Sequence, residues 1–265
     1  MAIVNRTPDS FHDRGRTFAL EKATEAVRAA ADAGADWIDI GGVPFAPGPE
    51  VTAAEELDRV LPVVDAAQGL AVVSVDTYRP EVAREVIKAG AGVINDTSGL
   101  RDLGIADAVV DTGASLVITH SLAPPRTLFP SPQYADVTAE VGDFLRRRVE
   151  LALGRGVRPD QILIDPGHDL NKNTYHSLEL TRRLSEIAAI GYPMLAALSN
   201  KDFIGETLDA AQGDRLVGTV AAVVFAIVQG ARIVRVHDVR AAVQAVRMTE
   251  AMLGLRPPAY ARHNV

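Results

Sequence analysis

Gly34-Ala35-Asp36-Trp37-Ile38-Asp39 follows a helical pattern over 18–33, and close variants of the phrase recur along the chain. They are Gly90-Ala91-Gly92-Val93-Ile94-Asn95, Gly113-Ala114-Ser115-Leu116-Val117-Ile118 and Gly230-Ala231-Arg232-Ile233-Val234-Arg235. Each reads as a helix ended by glycine in the left-handed conformation, where the absent Cβ removes the steric cost, and then a buried strand. Four other apolar runs, 2–5, 71–76, 161–165 and 194–198, fit as strands without that signal, which makes eight. Helical patterns separate them at 18–33, 52–68, 80–89, 103–112, 135–154, 177–189, 214–229 and 239–253. Buried strands alternating with helices pair in parallel, and eight such units close on themselves. The expected architecture is therefore α/β, a single-domain (β/α)8 TIM barrel over residues 1–265.

Helix starts carry their own chemistry. Thr52 with Glu55 makes a capping box, Pro80 suits a first helical position, and Asp238 can cap the last helix. Pro62, inside 52–68, is expected to kink or divide that helix. The composition agrees with a filled barrel: 48% of residues are hydrophobic but only 5% aromatic, so small and branched side chains dominate. A net charge of −7 and a pI near 5.4 give a nucleic-acid role no electrostatic support. The basic run Arg146-Arg147-Arg148 lies between Asp143 and Glu150 and reads as a solvated helix face. With no cysteine, disulfides, thiolate catalysis and Cys-based zinc sites are excluded together. No apolar run has membrane-spanning length and no signal-peptide pattern is present, so a soluble cytoplasmic protein is expected. The first strand begins at Met1, which leaves nothing in the sequence to plug the amino-terminal mouth of the barrel.

The longest irregular segments, 6–17, 41–51, 119–134 and 166–176, all follow strands, which is the active-site face of this architecture. Polar residues close the strands: Asn5, Asp39, Asp76, Asn95, His120, Asp165, Lys201, and Arg235 with His237. Each alone could satisfy a turn or cap a helix. Together, converging on one funnel, they suit a flat heterocycle with adjacent donors and acceptors. Asp165 could accept two parallel N–H bonds from an amino-pyrimidinone edge, and Asn95 could match a neighbouring donor and acceptor. Lys201, Arg235 and His237, together with Asn5, could receive an anionic leaving group. No His/Asp/Glu spacing of a dedicated metal cage is present. A Mg²⁺ ion would be held by substrate phosphates plus one protein oxygen, such as the Asn5 amide. A Ser-His-Asp reading lacks a nucleophile elbow, and Gly41-Gly42 is too little for a dinucleotide fingerprint. A phosphate-handling barrel of unrelated chemistry would need a glycine-rich loop after strands seven and eight, for which Gly205 is the one candidate.

Asn5-Arg6-Thr7-Pro8-Asp9-Ser10-Phe11 resembles the Asn-x-Thr-Pro-Asp-Ser-Phe signature that opens dihydropteroate synthases. In family order follow Ile38-Asp39-Ile40-Gly41-Gly42, Ser74-Val75-Asp76-Thr77, Ile94-Asn95-Asp96, Ile164-Asp165-Pro166-Gly167, Ser199-Asn200-Lys201-Asp202-Phe203-Ile204-Gly205 and Arg235-Val236-His237-Asp238. The resemblance runs over essentially the whole chain. It implies an enzyme that joins 6-hydroxymethyl-7,8-dihydropterin pyrophosphate to para-aminobenzoate in folate biosynthesis, with Mg²⁺ as cofactor and commonly as a homodimer. By carry-over Asp76, Asn95, Asp165 and Lys201 resemble the pterin-binding residues, while Asn5, Arg235 and His237 resemble the Mg²⁺ and pyrophosphate site. Asp76, Lys201 and Arg235 are the candidate catalytic groups, and Asp39 joins the candidate substrate-binding set. In the family mechanism the C–O bond breaks first, and the arylamine attacks the resulting pterin cation, which Asp76 is placed to help stabilise.

Four departures fall in the loops that finish catalysis. Where the family usually reads Glu-Ser-Thr-Arg-Pro-Gly, this chain has Val43-Pro44-Phe45-Ala46-Pro47-Gly48, without the Thr and the Arg. Ser-Arg-Lys-Ser has become Ser199-Asn200-Lys201-Asp202, and the acidic Asp202 is expected to repel a benzoate carboxylate. Gly-Phe-Gly-Lys is replaced by His168-Asp169-Leu170-Asn171-Lys172, which removes an aromatic wall, and Met-His reads Thr119-His120. Diverged second copies within the family, actinobacterial ones among them, resemble this chain at Ser-Asn-Lys-Asp and His-Asp-x-x-Lys-Asn. The resemblance thus implies one of three things: a pterin binder whose condensation with para-aminobenzoate is weak or altered, a fully active synthase with rebuilt loops, or a non-catalytic pterin-binding paralogue.

Overall fold

The computed structural model describes residues 1–7 and 18–263. Pro8-Asp9-Ser10-Phe11 of the opening motif, and the rest of segment 6–17 beyond Thr7, lie outside the described residues. Eight strands run in one parallel sheet in sequence order: β1 Ala2–Asn5, β2 Trp37–Gly41, β3 Val72–Asp76, β4 Val93–Asp96, β5 Ser115–Thr119, β6 Ile162–Asp165, β7 Met194–Ala196 and β8 Ala231–Val234. The circle closes between β8 and β1. Ala2 bridges Val236 in parallel, Ile3 N–H donates to Val236 O at 3.1 Å, and Val236 N–H donates to Met1 O at 2.9 Å. The chain is a (β/α)8 barrel, as its periodicity predicts.

Helices alternate with the strands: α1 Leu20–Asp32, α2 Ala53–Ala67, α3 Pro80–Lys88, α4 Gly104–Val109, α5 Val137–Gly154, α6 Thr174–Arg182, α7 Leu184–Ala188, α8 Asp202–Leu208, α9 Leu216–Val228 and α10 Val239–Met252. Among the described residues no helix is long and apolar enough to cross a membrane. The capping box of α2 forms, with Thr52 N–H donating to Glu55 Oε2 at 2.7 Å and Glu55 N–H to Thr52 Oγ1 at 3.2 Å. Pro80 opens α3, and Asp238 caps α10 by accepting from Ala241 N–H at 2.9 Å.

Several expectations need correction. Pro62 does not divide α2, which runs unbroken through it. Pro62 lacks the N–H that would bond the Asp58 carbonyl, and Arg6 Nη1 supplies the donor from outside, at 3.0 Å to Asp58 O and 3.0 Å to Arg59 O. The helix expected over 177–189 starts earlier and breaks in two at Arg183, whose φ/ψ of −110°/22° is not helical. A separate short helix, α8, follows β7. Gly34, Gly90 and Gly230 take left-handed φ values of 94°, 103° and 106° as expected, but Gly113 does not. There α4 stops at Val109, and Asp111 takes the left-handed turn instead (φ 60°), a conformation that Asp tolerates better than most residues.

Strand alternation divides the core. Ile38, Ile40, Val73, Val75, Ile94, Leu116, Ile118, Ile162, Ile164 and Met194 pack outward into one cluster with the helices. Their inward neighbours Val93, Val117, Leu163, Leu195 and Ala197 form a second cluster inside the barrel. Met1, Trp37 and Ile233 pack, partly buried, against that inner cluster. Two residues further along the strands the same inward positions turn polar.

Candidate functional site

Two steps from the inner apolar residues stand Asp39 on β2, Asn95 on β4, Asp165 on β6 and Arg235 just past β8. Strand register brings Asp39 opposite Ser74 and Asp76 opposite Asn95. Asp39 is not at the strand end, as expected, but one layer deeper and wholly buried. It accepts from Ser74 Oγ at 2.6 Å, Asn95 Nδ2 at 3.1 Å and Arg235 Nε at 2.6 Å. With three donors at hydrogen-bonding distance, it serves as the base of the site.

Asp76 lies above it, accepting from Thr97 Oγ1 at 3.1 Å and facing Arg235 Nη2 at 3.5 Å. Burial first, and then the neighbouring Asp39 charge, push the Asp76 carboxyl up to about 7 against the pull of Arg235. Burial also works against the Arg235 charge, but Asp39 and Asp76 outweigh it and hold the guanidinium above its ordinary value. Asp165 accepts Gly167 N–H at 2.7 Å, and burial raises it despite the nearby Lys201 and Arg235. Lys201, at the start of α8, donates its Nζ to the His168 carbonyl; burial lowers it against the pull of Asp169 and Asp165. Asn95 donates to Asp39 through Nδ2, while its buried Oδ1 has no partner. The Asn5 amide oxygen lies so close to the end of β2 that a Cβ on Gly41 would be 2.7 Å from it.

Two candidates lie elsewhere. His120 turns out of the funnel, because Thr119 before it takes the inward position. Its ring packs edge-on to Phe144 at 4.8 Å, and its Nδ1 is 2.8 Å from Lys172 Nζ. Burial first, then Lys172, push it down to about 2, so it stays neutral. His237 sits beside Ser199, with Nδ1 at 3.1 Å from Oγ. With Arg215, Thr219 and Asp238 it lines a separate recess of about 220 Å³ next to the funnel. The contacts of Arg235 described above are instead to Asp39 and Asp76.

The departing loops are closely bonded. Asp202, expected to repel a carboxylate, is paired with Arg215 at 2.9 Å, which offsets that repulsion. Arg215 also lies across Gly205, where a Cβ would collide with its guanidinium, so Gly205 is covered helix backbone and not a phosphate loop. Arg126 joins two loops, its N–H donating to Phe45 O at 2.8 Å and its Nη1 to Pro44 O at 3.0 Å. In the 168–172 segment, Asn171 Oδ1 accepts from Ser121 Oγ at 2.8 Å and Ala123 N–H at 2.9 Å, and Asp169 accepts from Ser177 Oγ at 2.8 Å. Sequence reading missed Ser74, Thr97, Arg126, Lys172 and Arg215. Two of them carried a signal: Ser74 shares the strand face of Asp76, two residues away, and Lys172 stands in the His-Asp-x-x-Lys-Asn stretch.

Known proteins resemble this chain in sequence and in fold. The family model described as pterin binding enzyme matches residues 1–237. The chain is 44% identical to the "inactive dihydropteroate synthase 2" of Mycobacterium leprae, over 97% of this chain and 91% of that protein. It is 40% identical to the dihydropteroate synthase of Escherichia coli K12, over 97% and 92%. The crystal structure of Yersinia pestis dihydropteroate synthase with a sulfonamide drug complex superposes with a TM-score of 0.91 at 37% identity, over 97% of this chain and 94% of that one.

Proposed function

The chain belongs to the dihydropteroate synthase family of pterin-binding enzymes, and we propose that it binds 6-hydroxymethyl-7,8-dihydropterin pyrophosphate while condensing it with para-aminobenzoate weakly or in altered form. The observation that carries this reading is the buried, unpartnered Oδ1 of Asn95 among Asp39, Asp76, Asp165 and Arg235. A buried acceptor left unmade costs about 1–3 kcal/mol, which a pterin N–H would recover. Asp165 accepts the amino-pyrimidinone edge, and Lys201 donates beside it. Asp76, poised between protonation states, favours positive charge developing on the pterin as the C–O bond breaks. Arg235 holds Asp39 and Asp76 in register and adds positive charge on the leaving-group side.

Among the described residues no group of three His, Cys, Asp or Glu side chains could hold a metal. The donor set fits a hard cation held chiefly by substrate phosphates, with the Asn5 amide oxygen as the protein ligand. Bound there, Mg²⁺ would neutralise pyrophosphate charge. Val217, Phe225 and Val228 of α9 with Met248 and Met252 of α10 leave a broad apolar face exposed, which supports a homodimer.

The weak-condensation reading rests on Val43-Pro44-Phe45-Ala46-Pro47-Gly48. In place of an arginine side chain it offers carbonyls already tied to Arg126. The Asp202–Arg215 pair favours a second reading, a fully active synthase with rebuilt loops, because it lifts one obstacle to a benzoate. Steady-state pyrophosphate release with para-aminobenzoate separates the two. Tight dihydropterin binding with turnover far below about 1 s⁻¹ is expected, and turnover within the ordinary enzyme range would establish the second reading. Binding without any turnover would mark a non-catalytic pterin-binding paralogue.

A further inference from the structure

Lys172 is a buried lysine with no carboxylate in hydrogen-bonding contact. Its Nζ lies 2.8 Å from Gly167 O, 3.2 Å from Leu170 O and 2.8 Å from His120 Nδ1. Those are three acceptors for the three protons of an ammonium, provided that the neutral His120 carries its own proton on Nε2. Two of these partners lead directly to Asp165. Gly167 N–H donates to Asp165 Oδ1 at 2.7 Å, and His120 N–H donates to Asp165 O at 2.9 Å. Asp165, Gly167, Lys172 and His120 therefore form a closed ring of hydrogen bonds behind the funnel. Only glycine fits at position 167. Its φ is +66°, and a Cβ there would collide with the His120 carbonyl oxygen.

We propose that Lys172 is a positioning residue for Asp165: it fixes the turn that orients the carboxylate, and its charge favours the ionised form that a pterin's amino-pyrimidinone edge requires. This rests on the pterin-binding reading of Asp165. The cations facing Asp165 are Lys201 at the start of α8, Arg235 after β8 and Lys172 itself. The charged and titratable groups around Lys172 are Lys201, Asp165 and Asp169, His120 just past β5, and His168 and His176, which both feel its charge. Burial lowers Lys172 well below its ordinary value, and Asp165 and Asp169 act to keep its proton. The turn and the carboxylate are thus linked electrostatically as well as by hydrogen bonds.

The test uses the full chain with 6-hydroxymethyl-7,8-dihydropterin, titrated calorimetrically across a pH series. Lys172→Met keeps the apolar stem and removes the ammonium that donates to the Gly167 and Leu170 carbonyls. It should fold, bind about tenfold or more weakly, the size of one misoriented charge-assisted hydrogen bond, and lose binding at a higher pH on the acid side. The direction follows from Asp165 losing one of its cations, which raises its carboxyl further. Lys172→Gln, which returns hydrogen bonding without charge, should recover part of the affinity but keep the displaced acid limb. Parent affinity with a parent pH profile in Lys172→Met overturns the proposal. So does an equal loss at every pH together with a lowered Tm, which is what packing alone would give. Retained pterin affinity in Asp165→Asn would instead overturn the reading of Asp165, whatever the Lys172 variants do.

Discussion

Asp39 and Arg235 form the most deeply buried ion pair of the site, at 2.6 Å, with the Asp39 side chain fully enclosed and that of Arg235 17% exposed. Burying two charges gains little by itself, because desolvation consumes most of their attraction. Removing one partner is a different matter, since the other is left charged in the barrel interior. Asp39→Ala is therefore expected to destabilise the fold by about 3–5 kcal/mol, measured by urea denaturation. Ser74→Ala, which deletes only one neutral donor to the same carboxylate, should cost about 1 kcal/mol. Gly167 makes a second demand at this scale. Gly167→Ala forces a side chain into a left-handed position and against the His120 carbonyl. Its expected outcome is a displaced Asp165 turn, read as lost dihydropterin binding in a protein whose circular dichroism stays that of a folded barrel.

At the scale of elements, α2 shows where local rules and tertiary context part. Proline inside a helix predicts a kink or a break, and the break is the part that α2 tests. That expectation fails here because Arg6, 56 residues earlier in the chain, donates to the carbonyl that Pro62 leaves without a partner. Arg6→Ala should destabilise the protein by about 1–3 kcal/mol and speed amide exchange in α2. Adding Pro62→Ala should recover much of that loss, because the new backbone N–H at position 62 can bond Asp58 O itself, and a double-mutant cycle measures the coupling. This contrast explains what was legible in the sequence. The barrel was legible because buried apolar runs, helix-ending glycines and the capping box at Thr52 are all local signals. The split of α6 from α7, the outward turn of His120 and the burial of Lys172 were not. Each involves what another segment presents: Asp136 to Arg183, Phe144 to His120, and His120 to Lys172. Asp202 taught the same lesson, since its charge could be counted from the sequence but its pairing with Arg215 could not.

At the scale of the whole molecule, stability and the site pull against each other along the barrel axis. The lower interior is apolar and closely packed, whereas the upper interior holds Asp39, Asp76 and Asp165 among Lys172, Lys201 and Arg235. Asp76 is the clearest case of a group kept at a cost. Its folded pKa of about 7 stands above the ordinary 3.8, so the native state holds this proton more tightly than the unfolded chain does. Its contribution to stability is fully present below the unfolded pKa and is lost as pH rises through the folded one. Above about pH 7 the native barrel must carry the Asp76 charge next to Asp39, with Arg235 shared between them. Asp76→Asn keeps an oxygen for Thr97 and removes that charge. The variant should therefore be more stable than the parent at pH 8, by roughly 1 kcal/mol or about 2–4 °C in Tm. The gain should shrink steadily toward pH 4, where the parent is already protonated. Dihydropterin turnover or binding should fall in the same protein, because the carboxylate that strains the fold is the one proposed to meet the pterin cation. Paired thermal melts at several pH values check the sign. A Tm difference that does not change with pH would show that Asp76 is not held near neutrality by its neighbours, and its proposed role in the reaction would fall with it.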